Sequence, residues 1–319
     1  GKRLQALVVT AQEAYTLGFA EADEGLYGLA PVQDGWVAVG FSGERGLVVW
    51  LDRHGKPKAA YRVGQGLLWS TDGVYAVGGA YKTDWDVWVL RLADRTSWVY
   101  PSAGDAYAYS SYRSPQGLWL VGRTAGPGGF DAFWMRLDPK GRPGLAWRSD
   151  FPGNDYLRFV GAGLAVGRAE VNGDSEGFLL WPSSASAQLW RRPGLDYFRM
   201  WRSYPSGRVL VGEAEVEGER RGLWVEPGRA KALVQGLSSL RFLEPHTPRA
   251  VGFSYRYSPE GQGWITQGRE SGLRLWYRKE PLALRPKPLA WQVEQTYPVW
   301  EPLPPAQPFE ARLRACPKN

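Results

Sequence analysis

Three arginines at matching positions of consecutive segments are the residues best suited to bind a ligand. The segments read DYLR, DYFR and SSLR and end at Arg158, Arg199 and Arg241. A guanidinium group donates several hydrogen bonds in one plane, which suits a carboxylate, phosphate or sulfate group. If the three side chains point into one channel, they form a cationic site for a small anion. The alternative is that they pair with Asp155 and Asp196 or reach solvent.

Aromatic residues accompany these arginines. Tyr156 and Tyr197 each stand two residues before an arginine, Tyr107 falls in DAYA of the preceding segment, and Trp201 follows Arg199. An exposed aromatic ring would suit sugar or peptide binding. The sequence therefore predicts a ligand-binding site made of Arg158, Arg199, Arg241, Tyr107, Tyr156, Tyr197 and Trp201.

Carboxylates in the loops between strands offer a second kind of chemistry. They are Asp84, Asp86, Asp131, Asp174 and Glu176. Paired carboxylates can hydrolyse glycosides or bind Ca²⁺. Asp86, Asp131 and Glu176, however, occupy equivalent positions of a repeat, where an acid can accept hydrogen bonds from backbone amides. A repeated acid favours an architectural role, so we predict no catalytic residue.

The chain has few histidine and cysteine residues for metal binding or catalysis. The chain has two histidines, His54 and His246, both in turn-like segments, and one cysteine, Cys316. A single cysteine excludes an internal disulfide and a cysteine-cluster metal site. A histidine-based metal site needs more ligands than two. We therefore predict no metal and no cofactor.

Composition limits the classes of partner. The formal net charge is +7, but the 39 Lys and Arg residues form no run of five or more, so a nucleic-acid partner is not expected. No apolar stretch reaches the roughly 18 residues that would span a bilayer, so no transmembrane segment is predicted. Two Met and one Cys in 319 residues are typical of a thermophile.

A repeated strand ending in Val-Gly organises the chain. Its glycines are separated by 38, 44, 45, 45 and 40 residues, and they are Gly40, Gly78, Gly122, Gly167, Gly212 and Gly252. A period of roughly 40–50 residues built from strands is typical of propeller blades. Each period divides into four strand signals, so six units occupy about residues 26–279.

The two ends of the chain predict one further blade. Residues 4–10 and 14–19 look like third and fourth strands, and residues 289–295 and 309–314 are candidate first and second strands. We therefore expect an all-β fold, a seven-bladed β-propeller of four-stranded blades in a single domain over residues 1–319. Residues 4–19 and 281–319 would form the seventh blade. The alternative is six blades plus a wrapping tail.

Two segments resemble a known repeat family. DVWVLRLADRTSWVY and DAFWMRLDPKGRPGLAW resemble bacterial β-propeller repeats in which Asp-Ala-Phe precedes a strand ending Leu-Asp-x-x-Gly, followed by Trp. The resemblance fades in later units, where Glu176, Arg221 or Gln262 replaces the aspartate. That family is mainly structural and extracytoplasmic and has no common catalytic residue. The resemblance implies a propeller scaffold exported to the periplasm or cell surface.

Three functions follow as expectations. The first is a non-enzymatic binding or scaffold propeller, extracytoplasmic after leader removal, that binds a protein or an envelope polymer through loops and a basic, aromatic channel mouth. The second is a polysaccharide-active enzyme that uses the loop carboxylates. The third, ranked last, is a nucleic-acid-binding protein.

Overall fold

The computed structural model describes residues 7–9, 14–16, 22–233, 238–243, 246–254, 262–268, 272–282, 284, 286–304 and 307–309. In these residues every regular element is a β-strand. The fold is therefore all-β, as predicted. Among the described residues, no helix is long and apolar enough to cross a membrane.

The strands follow one another in chain order. The first ten are β1 (Leu7–Val9), β2 (Ala14–Thr16), β3 (Glu24–Val32), β4 (Gly35–Ser42), β5 (Arg45–Leu51), β6 (Pro57–Val63), β7 (Gly66–Thr71), β8 (Tyr75–Tyr81), β9 (Trp85–Arg91) and β10 (Ser97–Tyr100). The next twelve are β11 (Ala106–Ser114), β12 (Gly117–Gly126), β13 (Gly129–Leu137), β14 (Pro143–Arg148), β15 (Tyr156–Gly161), β16 (Leu164–Val171), β17 (Asp174–Trp181), β18 (Ser186–Arg191), β19 (Asp196–Tyr204), β20 (Gly207–Val216), β21 (Glu219–Glu226) and β22 (Arg229–Leu233). The last nine are β23 (Ser238–Leu243), β24 (Ala250–Ser254), β25 (Gln262–Thr266), β26 (Gly272–Leu275), β27 (Arg278–Leu282), β28 (Lys287–Pro288), β29 (Glu294–Thr296), β30 (Trp300–Pro302) and β31 (Gln307–Phe309).

These strands form a β-propeller with five five-stranded blades, and the chain divides into two compact units. The unit of residues 1–108 and 292–319 holds the described sheets β3-β4-β5-β6-β30, β7-β8-β9-β10-β29 and β1-β2-β31. The unit of residues 109–291 holds β11-β12-β13-β14-β28, β15-β16-β17-β18-β27, β19-β20-β21-β22-β26 and β23-β24-β25.

The prediction of seven four-stranded blades is wrong, and the reason is the path of the C-terminal segment. Instead of building two strands of a blade of its own, this segment adds a fifth strand to one sheet after another. From β26 to β30 it pairs with β22, β18, β14, β10 and β6, in reverse chain order. The alternative prediction was six blades plus a wrapping tail. Its blade number does not match the structure either, but the C-terminal segment does run from sheet to sheet as that alternative expected.

The predicted seventh blade differs in its pairing as well. Strand β31 pairs with β2, on the side away from β1, whereas the prediction placed the C-terminal strands before β1. Strand β26, expected as the fourth strand of the sixth unit, pairs with β22 of the preceding sheet. Residues 310–314, which the prediction also used, lie outside the described residues.

The central strands of each blade are buried on both faces. Strands β4, β5, β8, β9, β12 and β13 are almost continuously buried, because neighbouring apolar clusters cover both sides. Trp88, Trp134 and Trp224 of the third strands rank among the largest fully buried side chains.

A β-bulge in the first strand explains the repeated glycine. The register of pairing shifts by one residue opposite the Val-Gly strand and leaves one residue out of the ladder. The residues left out are Tyr27, Trp69, Arg158, Arg199 and Arg241. A Cβ on Gly167 would overlap the carbonyl oxygen of Tyr156, and the same overlap recurs at Gly212 with Tyr197. Only glycine fits where another backbone approaches this closely.

We expect Gly167→Ala to destabilise the protein by about 2–3 kcal/mol, because the added methyl must displace the backbone of the facing strand. Urea unfolding measures this change. Gly144→Ala is the matched control, since its nearest neighbour would lie 3.7 Å away. Equal stabilities of the two variants would contradict the proposed role of the glycine.

Trp300 anchors the tail strand β30. Its ring lies 5.7 Å from that of Trp50 and 5.7 Å from that of Tyr61, and Arg95 lies 4.9 Å from the ring centroid. We expect Trp300→Ala to cost about 2 kcal/mol, because it removes half-buried apolar area and a cation–π contact. Trp276→Ala, at a side chain that is 71% exposed, should change stability by less than about 0.5 kcal/mol. Comparable losses in thermal unfolding would show that the ring does not anchor the strand.

Candidate functional site

The three predicted arginines all sit at bulges. Arg158 on β15, Arg199 on β19 and Arg241 on β23 are the residues that the pairing skips in three consecutive sheets of the second unit. The charges of Arg158 and Arg199 act on the guanidinium of Arg241, so the three side chains lie within electrostatic reach of one another. The structure therefore brings these residues together.

Tyrosine rings lie against these guanidinium groups. The rings of Tyr156 and Tyr197 meet edge to face, with centroids 5.1 Å apart. Arg199 lies 4.4 Å from the centroid of the Tyr197 ring. A cation over an aromatic face is stabilised by the ring quadrupole, so these rings help to hold the arginines in place.

Tyr107 is not part of this group. It belongs to the other compact unit, where its ring packs 5.2 Å from that of Trp85 and covers Gly79. Tyr109, two residues later, is the tyrosine that joins the group, because Arg158 lies 4.5 Å from its ring centroid. The sequence offered a signal for Tyr109. It stands two residues after Tyr107, just as Arg158 stands two residues after Tyr156.

Trp201 also lies apart from the arginines. It is buried in the apolar core, and its indole nitrogen donates a hydrogen bond to the carbonyl of Leu164 at 3.0 Å. Its ring packs edge to face with that of Phe159. The structure places this residue in a packing role and not on a ligand-binding surface.

Sequence reasoning missed the residues directly after the repeated glycines. These are Arg123, Arg168 and Glu213. Strand pairing sets Arg168 opposite Tyr156 and Glu213 opposite Tyr197, and Arg168 lies 4.8 Å from the centroid of the Tyr156 ring. The sequence signal for these residues was the charged residue that follows each Val-Gly pair, in the motifs Val-Gly-Arg and Val-Gly-Glu. We call the following set the arginine–tyrosine cluster: Tyr109, Arg123, Tyr156, Arg158, Arg168, Tyr197, Arg199, Glu213 and Arg241.

Glu213 is the carboxylate of this cluster. It accepts hydrogen bonds from Nε of Arg199 at 2.6 Å and from the hydroxyl of Ser239 at 2.7 Å. Burial opposes its ionisation, but the charge of Arg199 and these hydrogen bonds outweigh burial, and its pKa is lowered. Glu213 is therefore ionised, and Arg199 pairs with it and not with Asp196.

The cluster is short of negative charge. Burial lowers the pKa of Arg241, and repulsion from Arg199 and Arg158 lowers it further, whereas Glu213 acts in the opposite direction. Burial also raises the pKa of Tyr197, so its hydroxyl stays protonated and available as a donor. The electrostatic balance favours an added anion.

A cavity of about 170 Å³ opens at one side of the cluster. Its charged residues lie on β16, β19, β20 and β21, and the pairing of β19 with β20 and of β20 with β21 sets the spacing of the last three strands. It is lined by Tyr156, Arg168, Leu195, Tyr197, Arg199, Glu213, Ala214, Glu215 and Arg220.

The repeated carboxylates, expected in loops, lie in the third strands β9, β13 and β17 and hold neighbouring segments together. Asp86 accepts a hydrogen bond from the amide of Ser102 at 2.9 Å, Asp131 pairs with Arg148, and Glu176 pairs with Arg191 at 3.1 Å. Burial raises the pKa of all three acids. Asp84 and Asp174 are exposed. Among the described residues, no group of three or more His, Cys, Asp or Glu side chains could hold a metal ion.

Asp155 directly precedes β15, Asp196 is the first residue of β19, and both are fully buried. Asp155 accepts hydrogen bonds from the Glu170 amide at 3.0 Å and the Ser149 hydroxyl at 3.2 Å. Asp196 accepts from Nη2 of Arg192 at 2.9 Å and from the hydroxyl of Tyr277 at 3.2 Å. Burial raises the pKa of each carboxyl to about 7. These acids serve the architecture and do not pair with the arginines of the cluster.

Comparison with known proteins gives one relative and no family. No protein-family model matches the chain. An uncharacterised protein of Aquifex aeolicus (strain VF5) is 29% identical over 167 residues, which make up 50% of this chain and 48% of the relative. The chain thus spans about half the length of the curated relative that it matches.

The raised pKa of Asp155 predicts a pH dependence of stability. The folded state binds this proton more tightly than the unfolded chain, so the stabilisation is present at low pH and is lost as the pH rises from about 4 to about 7. Asp155→Asn, which resembles the protonated acid, should remove a slope of up to about 1.4 kcal/mol per pH unit in this window. Urea unfolding at several pH values measures the slope, with Asp174→Asn as the exposed control. Parallel curves for wild type and Asp155→Asn would contradict the assignment.

Proposed function

We propose that this protein is a non-enzymatic binding propeller that binds an anionic partner through the arginine–tyrosine cluster. The single observation that carries the proposal is the placement of Arg158, Arg199 and Arg241 at the bulges of three consecutive sheets. A bulged residue lies outside the ladder of strand hydrogen bonds, so its side chain can serve binding without weakening the sheet.

The charge of the cluster supports an anionic ligand. Its nine residues contain five arginines and one glutamate. Burial of a guanidinium group has a desolvation cost, and charge-assisted hydrogen bonds to an incoming carboxylate, phosphate or sulfate group would offset part of that cost. Contacts with the tyrosine rings help to hold Arg158, Arg168 and Arg199 in place before a ligand arrives.

An envelope polymer is the partner that we favour over a protein. A polymer that repeats an acidic group can address several arginines of the cluster at once, and linked contacts raise overall affinity. The extracytoplasmic location that the repeat resemblance implies would place the protein where such polymers occur. Location in the periplasm or at the cell surface is part of this proposal.

The enzymatic alternative receives less support. A general acid needs a raised pKa and access to substrate. Asp155 and Asp196 have the raised pKa but are fully buried. Of the repeated acids, Asp131 and Glu176 are held by arginines of the neighbouring strand.

Binding to a panel of polymers tests the proposal. The panel contains polygalacturonate, dextran sulfate, polyphosphate and DNA, with dextran as the neutral control. We expect affinity for at least one acidic polymer that falls as salt is raised. The double variant Arg158→Gln, Arg241→Gln should weaken binding about tenfold or more, because it removes two charged hydrogen-bond donors.

Arg142→Gln is the control for a general loss of positive charge, because Arg142 pairs with Asp138 in an exposed turn. Its affinity should equal that of the wild type. Circular dichroism and thermal unfolding establish that each variant is folded. The proposal fails if no acidic polymer binds, if the folded double variant binds as well as wild type, or if DNA is the preferred polymer.

A further inference from the structure

We propose that the cavity beside the cluster binds a sugar that carries one carboxylate, such as a uronic acid unit of an acidic polysaccharide. This inference rests on the proposed function, because it assigns a ligand class to one part of the same surface. Arg168, Arg220 and Glu215, which line the cavity, are the residues to which it gives new roles.

The charge of the lining selects a singly charged ligand. Three arginines and two glutamates line the cavity, which leaves one uncompensated positive charge. A carboxylate balances that charge. A doubly charged phosphate would exceed it and would meet repulsion from both glutamates.

Two of the three arginines are available to a ligand. Glu213 already engages Arg199. Arg168 forms no ion pair with a described carboxylate, and its Nε finds no hydrogen-bond acceptor in the described part of the chain. Arg220 reaches Glu213 only at 3.8 Å, and its side chain is 58% exposed. A guanidinium group binds a carboxylate through two parallel hydrogen bonds, so Arg168 and Arg220 are suited to the acidic group of the ligand.

Glu215 supplies an acceptor for hydroxyl groups. It lies opposite Arg220 in the pairing of β20 with β21, and its carboxylate makes no hydrogen bond with another described residue. A carboxylate can only accept hydrogen bonds, and a sugar offers several hydroxyl donors. Tyr156 and Tyr197 line the same cavity.

The lining disfavours an apolar peptide side chain. Leu195 and Ala214 are its only aliphatic residues, and arginines lie against the rings of both tyrosines. A hydrophobic group would gain little buried apolar contact here and would desolvate charged groups. A polar sugar ring with a single carboxylate satisfies these groups with hydrogen bonds.

Calorimetric titration tests the inference with trigalacturonate, neutral galactotriose, inorganic phosphate and a triglutamate peptide. We expect trigalacturonate to bind at least about tenfold more tightly than each of the other three. Arg168→Gln and Arg220→Gln should each weaken trigalacturonate binding about fivefold or more. Arg229→Gln is the matched control: it lies in the same sheet, its side chain is 56% exposed, and it should leave binding unchanged.

Glu215→Gln separates the contribution of charge from that of shape. Removing this negative charge should strengthen the binding of phosphate, while the loss of a strong acceptor should weaken that of trigalacturonate. Preferred binding of phosphate or triglutamate by wild type would overturn the inference. Full affinity in folded Arg168→Gln and Arg220→Gln variants would overturn it as well.

The two proposals fail in distinguishable ways. If the cavity variants have no effect but Arg158→Gln, Arg241→Gln still weakens polymer binding, the sugar assignment is wrong and the binding function stands. If no acidic polymer and no acidic sugar binds, both proposals are wrong.

Discussion

The close approach of a first-strand carbonyl to a glycine of the second strand constrains how five of the described sheets are built, at Gly40, Gly78, Gly167, Gly212 and Gly252. The carbonyl oxygens of Tyr156 and Tyr197 lie where Gly167 and Gly212 would carry a Cβ atom. Because no side chain fits there, the glycine recurs, and the residue two positions after each tyrosine, Arg158 or Arg199, is left out of the ladder. That residue contributes little to the sheet, so its identity can vary from one sheet to the next. Tyr27 and Trp69 occupy the position in one unit, whereas arginines occupy it in the other.

Buried charged residues in this molecule have two separate roles. Asp131 with Arg148 and Glu176 with Arg191 form ion pairs that join a third strand to a fourth strand within one sheet. The arginine–tyrosine cluster is different, because one carboxylate faces several guanidinium groups. Breaking a buried pair leaves an uncompensated charge and is costly, so the strand-joining pairs are expected to tolerate little change. The cluster contains more positively than negatively charged side chains, and an anionic ligand can bind to this excess of positive charge.

The C-terminal segment protects sheet edges. An open edge strand presents unpaired backbone groups that invite association with other chains. Strands β26 to β30 cover the outer edges of five sheets with short strands that are largely exposed and contain prolines. Side-chain contacts help to hold these strands in register. Arg191 binds Glu280, Lys82 binds Glu294 and Trp300 packs on Trp50.

The amino-acid pattern alone determined the all-β class, the propeller architecture, the period of the repeat and the grouping of Arg158, Arg199 and Arg241. These features are local, since a glycine period and an equivalent position in a repeat can be read along the chain. Only the tertiary structure decided the number of strands in a blade, because the tail strands carry no signal for the sheet edge that they join. It also decided which aromatic residues meet the arginines. Tyr109 lies beside Arg158 and Trp201 lies in the core, because packing between strands that are distant in sequence selects the face on which each ring is buried.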